Sequence, residues 1–338
     1  MQATPARTAP ALASYVHRTT DGRFQNPWPD TTPHDLGDVV RWRRTRVLPP
    51  DPDPSVFRRG TPAFAAPRAA SGELSATWVG HSTVLLQIGE LNVLTDPMWS
   101  DRASPIRLLG PRRWVPPGIA LDALPPIDIV LLSHNHYDHL DTRTVRALAR
   151  QHPAAHWLVP LGLAALVHRW GVRDVAELDW WDAAHVAGAQ AACIPAQHFS
   201  ARGLTERMRT LWCGWTLRVG GRSVFFAGDT GYHPEFGAIA QRHGPFDLCL
   251  LPIGAYEPRW FMRPVHMNPD DAVRAYQDIA SAHPASPPPV VLGIHWGTFK
   301  LTDEPMDEPH RRMLHCWREA GLDERLLWLL DFGETRGW

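Results

Sequence analysis

Ser133-His134-Asn135-His136-Tyr137-Asp138-His139-Leu140-Asp141 places three imidazoles and a carboxylate within six residues. It directly follows Asp128 to Ser133 (DIVLLS), a short apolar run of the kind that forms a buried strand. A loop leaving a strand turns alternate side chains toward one point. His134 and His136 can then face one ion, and Asp138 with His139 a second. Imidazole nitrogen and carboxylate oxygen are the usual donors to zinc. A chance cluster of surface histidines is the competing reading, since the chain has 18 histidines. The tight spacing right after a strand argues against it.

Three more donors each follow a strand-like run. His198 ends Pro195-Ala196-Gln197-His198. Asp229 sits in Phe226-Ala227-Gly228-Asp229-Thr230-Gly231, and His295 in Gly293-Ile294-His295-Trp296-Gly297. Each alone could be a capping Asp or a core histidine. Together, beside glycines at strand ends, they read as a metal centre.

The rest of the chain supplies a scaffold for such loops. Ala76–Gly80, Thr83–Gly89 and Asn92–Asp96 read as a β-meander. Thr142–Gln151 and Leu161–Gly171 have helical spacing. Thr216–Val219 and Ser223–Ala227 flank the Gly220-Gly221 turn. Asp247–Pro252 is a further buried strand. Asn268-Pro269-Asp270-Asp271 carries the signals of a helix start, with an N-cap, Pro at the first position and acids in the first turn. Val290–Ile294 predicts a strand, Pro309–Ala320 a helix, and Leu326–Asp331 a last strand. Strands followed by strand–helix alternation, twice over, fit two mixed sheets packed face to face with helices outside. Residues 1–72 are rich in Pro, Arg and Ala and read as a partly irregular extension; 73–338 form the main domain. In the extension, Arg41, Arg43, Arg44 and Arg46 read as a solvated face, with contact to an anionic surface as the alternative.

Composition narrows the function. The formal net charge of -1 over 338 residues argues against a dedicated nucleic-acid binder. All but one of the 34 basic residues are arginine, so a single exposed Arg says little about phosphate binding. Cys193, Cys213, Cys249 and Cys316 form no C-x-x-C pair, and reduced thiols in a cytoplasmic protein are expected. Met1 to Thr20 shows no apolar h-region, so no secretory leader is expected. No apolar run approaches the ~18 residues of a membrane span. The chain has no G-x-S-x-G elbow, P-loop or G-x-G-x-x-G.

The order His-x-His-x-Asp-His, then His, Asp and His, resembles the ligand set of the metallo-β-lactamase superfamily. Further stretches resemble its N-acylphosphatidylethanolamine-hydrolysing phospholipase D family: Trp78 to Thr83 (WVGHST), Leu94 to Pro97 (LTDP), Ser133 to Asp141 (SHNHYDHLD), Phe225 to Tyr232 (FFAGDTGY), Gly244 to Asp247 (GPFD), Pro252 to Met262 (PIGAYEPRWFM) and Ile294 to Phe299 (IHWGTF). The likeness runs from about residue 72 to the end, with Phe24 to Pro29 (FQNPWP) extending it upstream. The resemblance implies an αβ/βα sandwich and two Zn²⁺, with Mn²⁺ or Fe as alternatives. It implies that His134, His136 and His198 hold one ion, Asp138, His139 and His295 the other, and Asp229 both. A hydroxide shared by the ions would then attack phosphorus.

Other residues carry two readings each. Asp96 orients a ligand histidine, or merely forms a turn before Pro97. His81 lines the site, or is a structural histidine. His266 matches a family position near the phosphate and joins Asp138 as a catalytic candidate. Tyr256, Glu257, Arg259 and Trp260 are candidates for substrate binding, with an Arg259–Glu257 pair as the structural alternative. The resulting expectation is a metal-dependent phosphodiesterase acting on N-acylated phospholipids. A lactonase or other ester hydrolase is the first alternative, and a nuclease or a non-enzymatic metal scaffold follow. The expected partner is a lipid or small molecule, with peripheral membrane contact and homodimerisation left open.

Overall fold

The computed structural model of the protein describes residues 17–106, 108–203 and 206–338. Most of the stretch read for a leader, Met1 to Thr20, lies outside these. Among the described residues, fourteen strands form two seven-stranded sheets. The first contains β1 (Leu74–Gly80), β2 (Thr83–Ile88), β3 (Leu91–Thr95), β4 (Ile129–Leu131), β5 (His156–Pro160) and β6 (Asp174–Leu178). The second contains β7 (Ala183–Val186), β8 (Ala189–Ile194), β9 (Gly214–Val219), β10 (Arg222–Phe226), β11 (Leu248–Pro252), β12 (Val290–Ile294) and β13 (Leu327–Trp328). The chain end, β14 (Thr335–Gly337), returns to the first sheet beside β1, giving the order β14-β1-β2-β3-β4-β5-β6.

The halves mirror one another. In the first, β1, β2 and β3 pair antiparallel, and β3 to β6 run parallel. In the second, β7 to β10 pair antiparallel, and β10 to β13 run parallel. Parallel pairs need crossovers, and helices supply several of them: α2 (Thr142–Gln151) and α3 (Ala164–Arg169) in the first half, α4 (Phe236–His243), α6 (Pro269–Ser281) and α7 (Glu308–Glu319) in the second. The remaining helices are α1 (Leu36–Thr45) and the short α5 (Arg259–Met262).

Alternation along the strands explains the layers. Val84, Leu86 and Ile88 of β2, with Ile129 and Leu131 of β4, enter the core between the sheets, where they join Trp215 and Leu217 of β9. Leu85 and Val130 point the other way, onto Val145 and Leu148 of α2 and Val167 of α3. Both faces of the first sheet are therefore buried, which is why its strands read as continuous apolar runs. α6 starts at Asn268 with a reciprocal capping box to Asp271.

Some elements are shorter than their sequence pattern. Leu161–Gly171 contracts to α3, because Gly162 adopts φ +90° and Pro160 still belongs to β5. Leu326–Asp331 keeps only two strand residues. The segment 17–72 is packed onto the body: Phe24, Trp28, Trp42 and Phe57 are buried. Its arginines divide. Arg46 pairs with Asp303 at 2.7 Å and stacks on Trp42, Arg41 lies over the Trp260 ring, and Arg43 and Arg44 are exposed. The four cysteines are free thiols. Among the described residues no helix is long and apolar enough to cross a membrane.

Candidate metal centre

The histidines and carboxylates gather where both sheets end. Asp96 follows β3, and His134, His136, Asp138 and His139 follow β4. His198 follows β8, Asp229 follows β10 and His295 follows β12. Loops at the carboxyl ends of parallel strands are where open α/β folds place ligands. Three non-glycine residues there, His81, Asp96 and His295, hold φ values of +55°, +31° and +61°. Such backbone is uncommon and clusters at functional sites. Gly228 lets the Asp229 loop approach: a Cβ there would lie 2.7 Å from both the Ser133 Cβ and the Cys213 carbonyl oxygen.

Two donor groups result. His136 Nδ1 lies 2.8 Å from His134 Nε2 and 3.1 Å from His198 Nε2. Asp138 Oδ2 lies 3.4 Å from His139 Nε2 and 3.6 Å from His295 Nε2. Asp229 Oδ2 sits between them. It is 3.0 Å from His139 Nε2 and from His295 Nε2, and 4.0 and 3.9 Å from the Nε2 atoms of His134 and His198. Burial alone would raise the Asp229 pKa, yet His139 and His295 outweigh it and hold the carboxyl well below its ordinary range. The carboxylates act on their neighbours in turn. Against the opposing effect of burial, Asp229 and Asp138 push His139 well up and His295 up to about 9. Burial pulls His136 down to about 3 and His198 to about 4.

The outer nitrogens of several rings are held by the protein. Asp96 Oδ2 lies 2.7 Å from His139 Nδ1 and also accepts from Ser133 Oγ, while its Oδ1 accepts the Ser133 N–H. His198 Nδ1 bonds the Val265 carbonyl at 2.9 Å. The inner atoms His139 Nε2, His295 Nε2 and Asp229 Oδ1 are buried without a hydrogen-bond partner. Buried polar atoms are almost always paired, so this cradle of nitrogen and oxygen donors fits a divalent cation.

His81 bonds Asp138 Oδ2 through Nε2 at 2.9 Å, and His266 Nδ1 lies unpartnered 4.0 Å from Asp229 Oδ2. Both therefore face the cluster. The segment after β11 differs from its sequence reading. Tyr256 is completely buried and donates its hydroxyl to Glu308, so it does not line an open pocket. Arg259 pairs with Asp271 at 2.6 Å, and the Glu257 carboxylate accepts the Arg259 backbone N–H, so the Arg259–Glu257 ion pair read as the structural alternative does not form. Trp260 is 41% exposed and presents apolar surface.

Sequence reasoning missed three supports. Ser133 ties Asp96 to the loop. Glu304 is buried and accepts the backbone N–H groups of Ala255 and Glu257. Asn26 bonds both backbone groups of His198. Asn26 lay within FQNPWP, but nothing local pointed to a partner 172 residues away.

Residues 91–296 match the model of the beta-lactamase superfamily domain. The chain belongs to that superfamily. The superfamily includes metal-dependent hydrolases, and the fold and the donor set here fit divalent metal ions. An uncharacterized protein of Mycobacterium tuberculosis is 47% identical over 249 residues, covering 73% of this chain and 65% of the relative. The chain thus spans about two thirds of that relative's length. The N-acyl-phosphatidylethanolamine-hydrolyzing phospholipase D 1 of Caenorhabditis elegans is 40% identical over 251 residues, covering 71% of this chain and 68% of the relative. Among solved structures, a possible metal-dependent hydrolase of Veillonella parvula shares the fold with a TM-score of 0.63 at 17% identity, covering 79% of this chain and 99% of its own.

Proposed function

We propose that this superfamily hydrolase is a dinuclear phosphodiesterase that acts on N-acylphosphatidylethanolamine-type phospholipids. The position of Asp229 carries the reading: one carboxylate oxygen lies within 4.0 Å of ring nitrogens from both donor groups. His134, His136 and His198 would hold one ion, Asp138, His139 and His295 the other, and Asp229 both. Two divalent ions, when bound, would supply an activated water and neutralise charge on the phosphoryl oxygens. Zinc suits these donors, and Mn²⁺ or Fe would also accept them.

The chain's own groups have separate tasks. Asp96 fixes the tautomer of His139 by accepting a hydrogen bond from its Nδ1–H, and the Val265 carbonyl does the same for His198. His81 holds Asp138 in place. His266 Nδ1 is free to touch a phosphoryl oxygen or carry a proton to the leaving group. The name of the 40% identical relative supports a phospholipid substrate. Trp260, beside Phe261, offers apolar surface to an acyl chain, at about 0.8 kcal/mol per buried CH₂.

The test compares kcat/KM for short- and long-chain N-acyl phosphodiesters with that for a simple lactone. A rate that rises with acyl length and then levels is expected. A lactone turned over far faster, with no dependence on chain length, transfers the protein to the lactonase reading.

A further inference from the structure

A cavity of about 720 Å³ lies on the outer side of the SHNHYDHLD loop, between the segment 100–117 and the start of α2. Among the described residues, six arginines line it: Arg102, Arg112, Arg113, Arg143, Arg146 and Arg202. The acids in its wall are Asp101 and Asp141. Asp141 is already committed, capping α2 through the Arg143 N–H and accepting from Thr144 Oγ1 and the Ser100 N–H. Among the described residues none of the six arginines forms an ion pair.

Arg113 is the decisive member. It is 93% buried, since 7% of its surface is exposed. It donates through Nε to the Ser100 carbonyl and through Nη2 to the Met98 carbonyl, while Nη1 has no partner. Its guanidinium lies 5.0 Å from the Phe299 ring centroid. Buried charges are ordinarily paired with an opposite charge. Arg202, mostly buried, stacks on Tyr137 and donates only to neutral oxygens of Asn135, Leu140 and Thr142. A cleft lined by one sign of charge concentrates the opposite ion.

We propose that this cavity binds a phosphate-bearing anion at a site separate from the metal centre. Guanidinium forks match phosphate oxygens with paired charge-assisted bonds. Ile106, Leu108 and Leu109 stand 53%, 80% and 61% exposed on the same segment, so the phosphate can arrive on a lipid as well as free in solution.

The test uses the full metal-loaded chain beside two variants. Arg112→Gln/Arg146→Gln changes exposed side chains and keeps the fold; Arg113→Met removes the buried charge. One arm measures thermal stability against inorganic phosphate. The other measures co-sedimentation with phosphatidylcholine vesicles, with and without phosphatidic acid. A saturable rise in Tm with phosphate, weakened about tenfold or more in the exposed pair, supports the site and a free-phosphate source. Binding only to the phosphatidic acid vesicles, weakened likewise, supports it with a lipid headgroup source. Hydrolysis of a small soluble phosphodiester stays at wild-type level in the exposed pair, so failure here is distinguishable from failure of the metal reading. Phosphate and vesicle responses that are unchanged in both variants overturn the proposal.

Discussion

Asn26 grips His198 by both backbone groups: its amide donates to the His198 carbonyl at 2.9 Å, and its Oδ1 accepts the His198 N–H at 3.2 Å. The same Oδ1 accepts from Trp212 Nε1. A residue of the amino-terminal segment therefore sets where one of the donor histidines stands.

Replacing Asn26 with Ala strands these groups in a buried setting. A loss of ~1–3 kcal/mol is expected from groups left unpaired there. Thermal unfolding should show a Tm lower by a few degrees, and metal analysis should show weaker retention after dialysis. Wild-type metal content at wild-type Tm would remove the segment from the site.

Asp96→Asn keeps the shape of the side chain and removes the acceptor charge facing His139 Nδ1. Loss of a group that orients a metal-binding histidine typically costs ~10–100-fold in metal affinity or activity. Metal titration with a competing chelator measures it directly, and circular dichroism reports whether the fold holds. An unchanged affinity would make Asp96 a turn residue only.

Asp229→Asn tests the shared carboxylate. The variant should lose at least ~100-fold in kcat/KM, the upper range already seen when a group behind a ligand is removed, and bind less than the wild-type complement of metal. About two ions per chain are expected in the wild type, from elemental analysis of protein never exposed to chelator. Near-wild-type turnover with intact secondary structure argues against the bridge.

Removing the metal should expose a pH dependence. In the metal-free protein His295 is raised to about 9 and His139 is raised also, because both protonated rings face Asp229 and Asp138. A group whose folded pKa exceeds its unfolded value of ~6.5 stabilises fully below that pH, and the gain is lost as pH rises through the folded pKa. The chelated protein should therefore lose Tm between about pH 7 and pH 9. His136 and His198, pulled down to about 3 and 4, are neutral in the folded protein across that window, so their effect falls mainly below the unfolded pKa of ~6.5. The metal-loaded protein, whose rings are held deprotonated by the ion, should change less over the same range. Parallel slopes for the two forms would contradict the pairing.

The candidate donors stood out in the sequence, and the fold brings them together. Each sits at the end of an apolar run, and a strand's alternation together with its abrupt end is a local property of a few residues. The helix start at Asn268 and the limits of α2 and β12 were legible for the same reason. What the local pattern could not carry is which ends meet. His134, His136, Asp138 and His139 leave the first sheet, whereas His198, Asp229 and His295 leave the second. Their approach depends on both sheets burying their inner faces against each other, a sum over many distant side chains. The same long-range packing turned Tyr256 inward to Glu308, gave Arg259 to Asp271, and brought Asn26 beneath His198. It also gathered six arginines around one cavity in a chain whose net charge is -1, because net charge is a sum over residues and a field depends on where they stand.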